Sequence, residues 1–224
     1  MMDNADIKAV IFDLDGTLID TERFYRYAWP KAMKDLGYEM TEEQYLHMRS
    51  LGRPYSLEQF KTWYGEDFDY EQARRQRKIY FDECVAAEGI PRKKGAVEVL
   101  TYLGKQGVIT AIATATDLDR AVEYLKAAGL YDYFTRVISA REVAVGKPSP
   151  DVYLYACREL GLDPANVIAV EDAPNGILSA YRAGCRVIMV PDQSPCEESL
   201  RPMLWACVEN LGEIPEILAK IKKE

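Results

Sequence analysis

Apolar and polar positions fall into two textures along the chain. Residues 9–12, Ala-Val-Ile-Phe, form a short unbroken apolar run, the pattern of a strand buried on both faces. The run ends in an Asp-Leu-Asp-Gly-Thr turn at residues 13–17. Residues 20–92 then become rich in Tyr, Arg, Glu and Gln, with helical periods and no convincing strand. Within them, Thr41 with Gln44 and Ser56 with Gln59 have capping-box spacing, so each pair predicts the start of a helix. Pro30 is expected to kink or break the helix that begins near Phe24. Residues 70–87 read as one longer helix closed by Gly89.

From Gly95 onward the pattern alternates. Helices are predicted at 96–106, 116–128 and 174–183, and another starts at the Ser149-Pro150 pair, where proline suits a first turn, and runs to Gly161. Strands are predicted at 108–114, 136–139, 167–171 and 187–190. Alternating strands and helices imply an α/β fold, a Rossmann-like parallel sheet covered on both faces. The expected division is a core of residues 1–19 and 93–224, with a helical insertion at 20–92. The chain shows no internal repeat and no low-complexity segment.

Composition narrows the classes. The 224 residues are 48% apolar and 29% charged, a globular balance able to build a core without staples. Net charge is −8, which speaks against a general polyanion binder, since nucleic-acid affinity is driven by phosphate neutralisation. The five cysteines have no C-x-x-C spacing, so reduced thiols are expected rather than a disulfide framework or a zinc site. No run approaches a membrane span, and the first residues, MMDNADIK, lack the apolar core of a signal peptide. The expectation is a cytoplasmic protein without nucleic-acid or membrane partners, monomeric or a small homo-oligomer.

Ligands of open parallel sheets bind beyond the carboxyl ends of the strands. The predicted strands place Asp13 and Asp15, Thr114 with Thr116, and Glu171 with Asp172 at that edge, and Lys147 follows a further strand by a short connection. Acids gathered with a Lys and a Thr make a candidate site for Mg²⁺ and phosphate, because hard oxygen ligands suit that ion. Asp13 and Asp15 are two residues apart, so extended backbone would aim both the same way. One can attack phosphorus while the other transfers protons. Lys147 can neutralise charge on the transferred group, and Thr114 can donate to phosphate from a strand end leading into a helix.

These residues, in order, resemble the four motifs of the haloacid dehalogenase-like superfamily. Asp13-Leu-Asp-Gly-Thr17 is similar to the first, Thr114 to the second, Lys147 in Gly-Lys-Pro-Ser-Pro-Asp to the third, and the Glu171-Asp172 pair in Val-Glu-Asp-Ala-Pro-Asn-Gly to the fourth. The resemblance spans residues 9 to about 190. It implies that Asp13 is phosphorylated during turnover and that Asp15 protonates the leaving oxygen and then activates water. It further implies Mg²⁺ held by Asp13, the Asp15 carbonyl and Asp172, with Glu171 as an additional participant. By the same resemblance Thr114, the Ala115 amide and Lys147 hold the phosphoryl group. Dehalogenating members lack the second acid of the first motif, so Asp15 points to phosphoryl chemistry.

The helical insertion resembles the cap of the β-phosphoglucomutase-like subgroup. Leu51-Gly52-Arg53 is similar to a cap loop there, which makes Arg53 a candidate substrate contact. Those mutases carry a histidine where Tyr25 aligns, so a phosphatase acting on a small phosphorylated metabolite, such as a sugar phosphate, is favoured over a phosphomutase. A non-catalytic ligand-binding protein is the third reading, opposed by the chemically competent residue at every motif position. Other features carry everyday explanations. His47, the single histidine, is expected on the surface. Tyr25, Tyr27, Trp29 and Trp63 read as core or as pocket walls. Arg74, Arg75, Arg77 and Lys78 read as a solvated face or as a source of one substrate contact, and helix periodicity prevents all four from pointing one way. Asp117 and Asn175 read as capping or turn residues near the site.

Overall fold

A computed structural model describes residues 7–221; the polar N-terminal stretch considered for a targeting signal falls largely outside them. Strand β1 (Ala9–Phe12) is followed by helices α1 (Glu22–Asp35), α2 (Glu42–Met48), α3 (Tyr55–Tyr64) and α4 (Tyr70–Glu88). Then come α5 (Ala96–Lys105), β2 (Ile109–Thr114), α6 (Leu118–Ala127), β3 (Arg136–Ser139), α7 (Asp151–Leu160), β4 (Val167–Glu171), α8 (Pro174–Arg182), β5 (Arg186–Met189), β6 (Ala206–Cys207) and α9 (Ile214–Ile221). The sheet order is β3-β2-β1-β4-β5-β6, every pairing parallel. The chain winds outward from β1 to one edge, then returns and winds to the other. The two directions part at the carboxyl end of β1, where this topology opens a crevice.

Side chains alternate across the sheet as the period of a strand requires. Val10, Phe12, Ile112, Ile168 and Val170 pack on one face, in a cluster shared with α5, α9 and the inserted helices. Ala9, Ile11, Ala111, Ala113 and Ala169 pack on the other, with residues of α7 and α8. The inserted helices therefore lean on the core, and Phe81 of α4 stacks on Tyr124 of α6 at 5.7 Å between ring centres. The strands entering and leaving the insertion run side by side: Asp20 N–H donates to Pro91 O at 2.8 Å and Lys93 N–H to Leu18 O at 2.9 Å. Among the described residues, no helix is long and apolar enough to cross a membrane.

Several boundaries differ from expectation. The Thr41 capping box forms as read, with the Gln44 amide and side chain both engaged. The one expected at Ser56 does not: α3 begins at Tyr55 with Pro54 at its N-cap and no side-chain cap, leaving Ser56 inside the helix and buried. Pro30 does not break α1, which runs on to Asp35. Ala28, Trp29, Ala32 and Met33 on either side of it are buried, and this tertiary packing outweighs a proline cost of about 3 kcal/mol. Helix α6 starts at Leu118 rather than at Thr116, because the Thr116 backbone and hydroxyl are engaged elsewhere. Strand β6 and helix α9 were not foreseen; two residues are too few to carry a strand pattern.

Candidate active site

A cavity of about 150 Å³ lies at the carboxyl ends of β1 and β2, roofed by the inserted helices. Asp13, Asp15, Thr114 and Ala115 line it, as does Arg53 from the insertion. Lys147, Glu171 and Asp172 stand directly behind Asp13, fully buried. The sequence-predicted residues thus converge on one place.

Each is held by several partners. Asp13 follows β1, and its N–H donates to Val170 O at 2.9 Å, locking the turn to β4. Lys147 Nζ donates to Asp13 Oδ1 at 2.5 Å, to Glu171 Oε1 at 2.6 Å and to Ala113 O at 2.9 Å, which uses all three ammonium protons. The Tyr153 hydroxyl also donates to Glu171 Oε1, at 2.5 Å. Asp15 is gripped from both sides: Thr21 Oγ1 donates to Oδ1 at 2.6 Å and Thr116 Oγ1 to Oδ2 at 2.7 Å. The Thr114 hydroxyl accepts from the Thr116 N–H at 3.0 Å. Gly16 has a positive φ of 81°, and a Cβ there would come within 2.5 Å of Asp172 Oδ2. Only glycine permits so close an approach in that backbone conformation. Gly176 likewise abuts the Glu171 carboxyl, where an added Cβ would lie 2.1 Å from Oε2.

Carboxyl oxygens of Asp13, Glu171 and Asp172 all lie within 4.8 Å of one another. The Asp15 carboxyl stands apart from this trio, in the grip of its two threonines. Burial raises the Asp13 carboxyl above its usual range, against the pull of Lys147. Burial, opposed by Lys147 and reinforced by Asp13, pushes Glu171 to about 8. Burial, opposed by Arg49 and reinforced by Asp13, pushes Asp172 to about 7. The cause common to all three is charge crowded into a dry place.

Sequence reasoning missed Arg49. It caps the end of α2, is almost wholly buried, and reaches across to pair with Asp172, with Glu22 Oε2 at 3.4 Å and with Asp192 Oδ2 at 3.4 Å. It also donates to Ser194 Oγ at 2.8 Å. Glu22 itself, held by the Tyr45 hydroxyl at 2.7 Å, was missed too, as were Thr21 and Tyr153; Thr116 was placed at the sheet edge but not as a partner of Asp15. No local pattern marks Arg49, Glu22 and Tyr153, because each acts through a partner at least 18 residues away. Asn175 neither caps nor turns: its Nδ2 donates to Arg49 O at 2.9 Å and His47 O at 3.2 Å, tying α8 to the insertion. Asp117 makes no cap bond and instead pairs with Arg141 and with Arg74. His47 is exposed beside Trp63, at 5.7 Å. The arginine-rich stretch of α4 divides: Arg74 and Arg77 line the cavity while Arg75 and Lys78 face solvent.

A second link joins the insertion to the core through backbone alone. Gly52 N–H donates to Lys147 O at 2.8 Å, and Gly146 N–H donates to Arg53 O at 2.7 Å. A Cβ on Gly52 would meet Gly146 Cα at 2.7 Å.

A parallel sheet with a crevice at its reversal point, and a buried aspartate that both pairs with a lysine and belongs to an acidic trio, make a site suited to phosphoryl or acyl transfer. The family model of the haloacid dehalogenase-like hydrolases matches residues 7–184, and the chain belongs to that family. Hexitol phosphatase A of Escherichia coli is 36% identical over 185 residues, covering 82% of this chain and 82% of its own. The crystal structure of CbbY from Rhodobacter sphaeroides in complex with phosphate superposes with a TM-score of 0.79 at 26% identity, over 93% of this chain and 96% of that one. The β-phosphoglucomutase of Clostridium difficile shares the fold, with a TM-score of 0.81 at 22% identity over 97% and 98% of the two chains. The chain is an enzyme of the phosphoric monoester hydrolase type, with sugar phosphate phosphatases among its relatives.

Proposed function

We propose that this chain is a cytoplasmic, Mg²⁺-dependent phosphatase that hydrolyses a small phosphorylated metabolite, a sugar phosphate or similar ester, through a phosphoaspartate on Asp13. The observation that carries this reading is the Asp13–Lys147 pair at the cavity floor, with Asp15 held two residues away by Thr21 and Thr116. Asp13 attacks phosphorus, and Lys147 and the Thr114 hydroxyl offer positive charge and a donor to the phosphoryl oxygens, joined by the Ala115 amide at the cavity edge. Asp15 gives its proton to the leaving oxygen and later takes one from the water that hydrolyses the acyl phosphate. Its two hydroxyl partners fix its orientation before substrate arrives, so no reorganisation is needed at the moment of reaction. Residues 20–92 act as the cap that shuts water out, with Arg53 at the entrance as a substrate contact.

The donor set fits a divalent cation. Among the described residues, the buried charged groups are five acids, Asp13, Asp15, Glu22, Glu171 and Asp172, against two cations, Arg49 and Lys147. That deficit, together with three hard oxygen donors within reach of one point, suits Mg²⁺ held by Asp13 and Asp172, with the Asp15 carbonyl and Glu171 close by. When bound, the ion supplies charge neutralisation to the carboxylate and phosphoryl oxygens. Tyr25 weighs against the mutase reading. It is buried against Phe81, and burial raises its phenol well above the ordinary range, which unsuits it to relay protons near neutral pH.

The test is phosphate release from p-nitrophenyl phosphate and a panel of sugar phosphates. Wild-type turnover is expected with Mg²⁺ and is expected to vanish with EDTA, and Asp13→Asn should lose at least roughly 10³-fold. Full activity in Asp13→Asn would overturn the nucleophile assignment. Isomerisation of a hexose 1-phosphate outpacing phosphate release would turn the reading to a mutase.

A further inference from the structure

Six arginines line the cavity: Arg49, Arg53, Arg74, Arg77, Arg120 and Arg141. Four are matched by carboxylates. Arg49 pairs with Asp172, Glu22 and Asp192, Arg53 with Glu71, Arg74 with Glu71 and Asp117, and Arg141 with Asp117. Arg77 and Arg120 have no carboxylate partner among the described residues. Arg77 comes from α4, half-buried between the rings of Tyr25 and Trp29, each centroid 4.9 Å from its guanidinium carbon. Its Nε is buried without a hydrogen-bond partner. Arg120 comes from α6 in the core, held only by the Tyr124 hydroxyl at 3.0 Å and by the rings of Phe81 and Tyr124.

The two guanidiniums come from opposite sides of the cavity yet are close enough to repel each other, and burial with that repulsion lowers Arg77. Arg120 is also near enough to Asp15 to feel its charge. Two guanidiniums that line one cavity without an ion-pair partner leave it a positive wall that a ligand anion would neutralise. Aromatic rings flank both guanidiniums and limit where they can reach. Asp15, Arg77 and Arg120 all line the one cavity.

Resting on the phosphatase reading above, we infer that Arg77 and Arg120 form a subsite for a second anionic group, and that the substrate is a phosphomonoester whose alcohol part itself carries a carboxylate or a second phosphate. A neutral polyol phosphate would leave the two guanidiniums unanswered. An acidic one brings a second charge that answers them.

The experiment compares kcat/KM by phosphate release across three groups of substrates: neutral esters (glycerol 3-phosphate, hexitol phosphates), carboxylated esters (phosphoglycolate, 3-phosphoglycerate) and sugar bisphosphates. It uses wild type, Arg77→Met, Arg77→Lys and Arg120→Gln. Wild type is expected to favour one of the two acidic groups, and which one identifies the anion. Arg77→Met and Arg120→Gln should each lose roughly 10- to 100-fold on that group, mostly in KM, with less than about 3-fold on neutral esters. Arg77→Lys should regain part of the loss, which a purely structural role would not predict. Wild type preferring neutral esters, or losses equal on neutral and acidic esters, would overturn the subsite while leaving the phosphatase reading intact. Failure of wild type to release phosphate from every substrate, p-nitrophenyl phosphate included, would overturn both.

Discussion

Replacing Lys147 by Met tests whether the buried charge cluster is balanced as its geometry implies. The ammonium gives one proton each to Asp13, Glu171 and Ala113 O, and methionine keeps the length of the stem while removing all three bonds. Taking away one partner of a buried pair costs about 3–5 kcal/mol, and an orphaned carbonyl adds about 1 kcal/mol. Against a total stability of about 5–15 kcal/mol this is a severe loss. It is also pH-dependent, with a definite sign. The Asp13 and Glu171 carboxyls are already raised in the folded protein, Glu171 to about 8, and without Lys147 both rise further. A carboxyl whose folded pKa exceeds its unfolded one contributes stability that is present below the unfolded value and is lost as pH rises through the folded one. The deficit of Lys147→Met should therefore be larger at pH 9, where wild-type Glu171 ionises beside the ammonium, than at pH 7, where Glu171 keeps its proton in both proteins. Adding Glu171→Gln removes a carboxyl that folding must keep protonated and should restore about 1–2 kcal/mol at pH 9. Urea unfolding of wild type, both single variants and the double variant, in EDTA at the two pH values, measures all of this. A pH 9 loss under about 1 kcal/mol, a loss independent of pH, or a double variant weaker than Lys147→Met would refute the reasoning.

Two further outcomes are expected. Burial and the charges of Asp172 and Asp15 outweigh the pull of Arg49 and push Glu22 to about 8, so its carboxyl costs stability as pH rises from about 5 to 8. Glu22→Gln should therefore melt higher than wild type at pH 8 without metal and close to it near pH 5, and a parallel pH dependence of the two melting curves would exclude this. At Gly52 an added Cβ would meet backbone atoms that cannot swing aside, so Gly52→Ala should cost about 1–3 kcal/mol, raise KM and speed proteolysis around residues 50–55. Gly104→Ala in α5, where nothing lies within 4 Å of the new methyl, is the control, and equal behaviour of the two variants would show that crowding at Gly52 is immaterial.

Strand runs, glycine stops and the acids at strand ends were legible because each is a local pattern. Asp13 follows β1, Thr114 closes β2, and Glu171 and Asp172 close β4, so a correct strand assignment places them together without further information. Lys147 was placed by its position after β3. Arg49, Glu22 and Tyr153 were not legible. Their roles depend on partners 123, 23 and 18 residues away, and nothing near them in sequence sets them apart from surface arginine, helix-start glutamate or core tyrosine. The ends of helices were misread where backbone groups serve the site, as at Thr116, or where packing overrides propensity, as at Pro30.

The paired main-chain bonds between Gly52–Arg53 and Gly146–Lys147 form a latch with no side chain in it. Releasing it exchanges two amide–amide bonds for amide–water ones, a difference of about 1 kcal/mol each, so shut and ajar states stay within reach of a metabolite's own binding energy. One leaf of the latch carries the lysine that grips Asp13, so a single stretch of backbone ties the insertion to the core and the ammonium to the carboxylate.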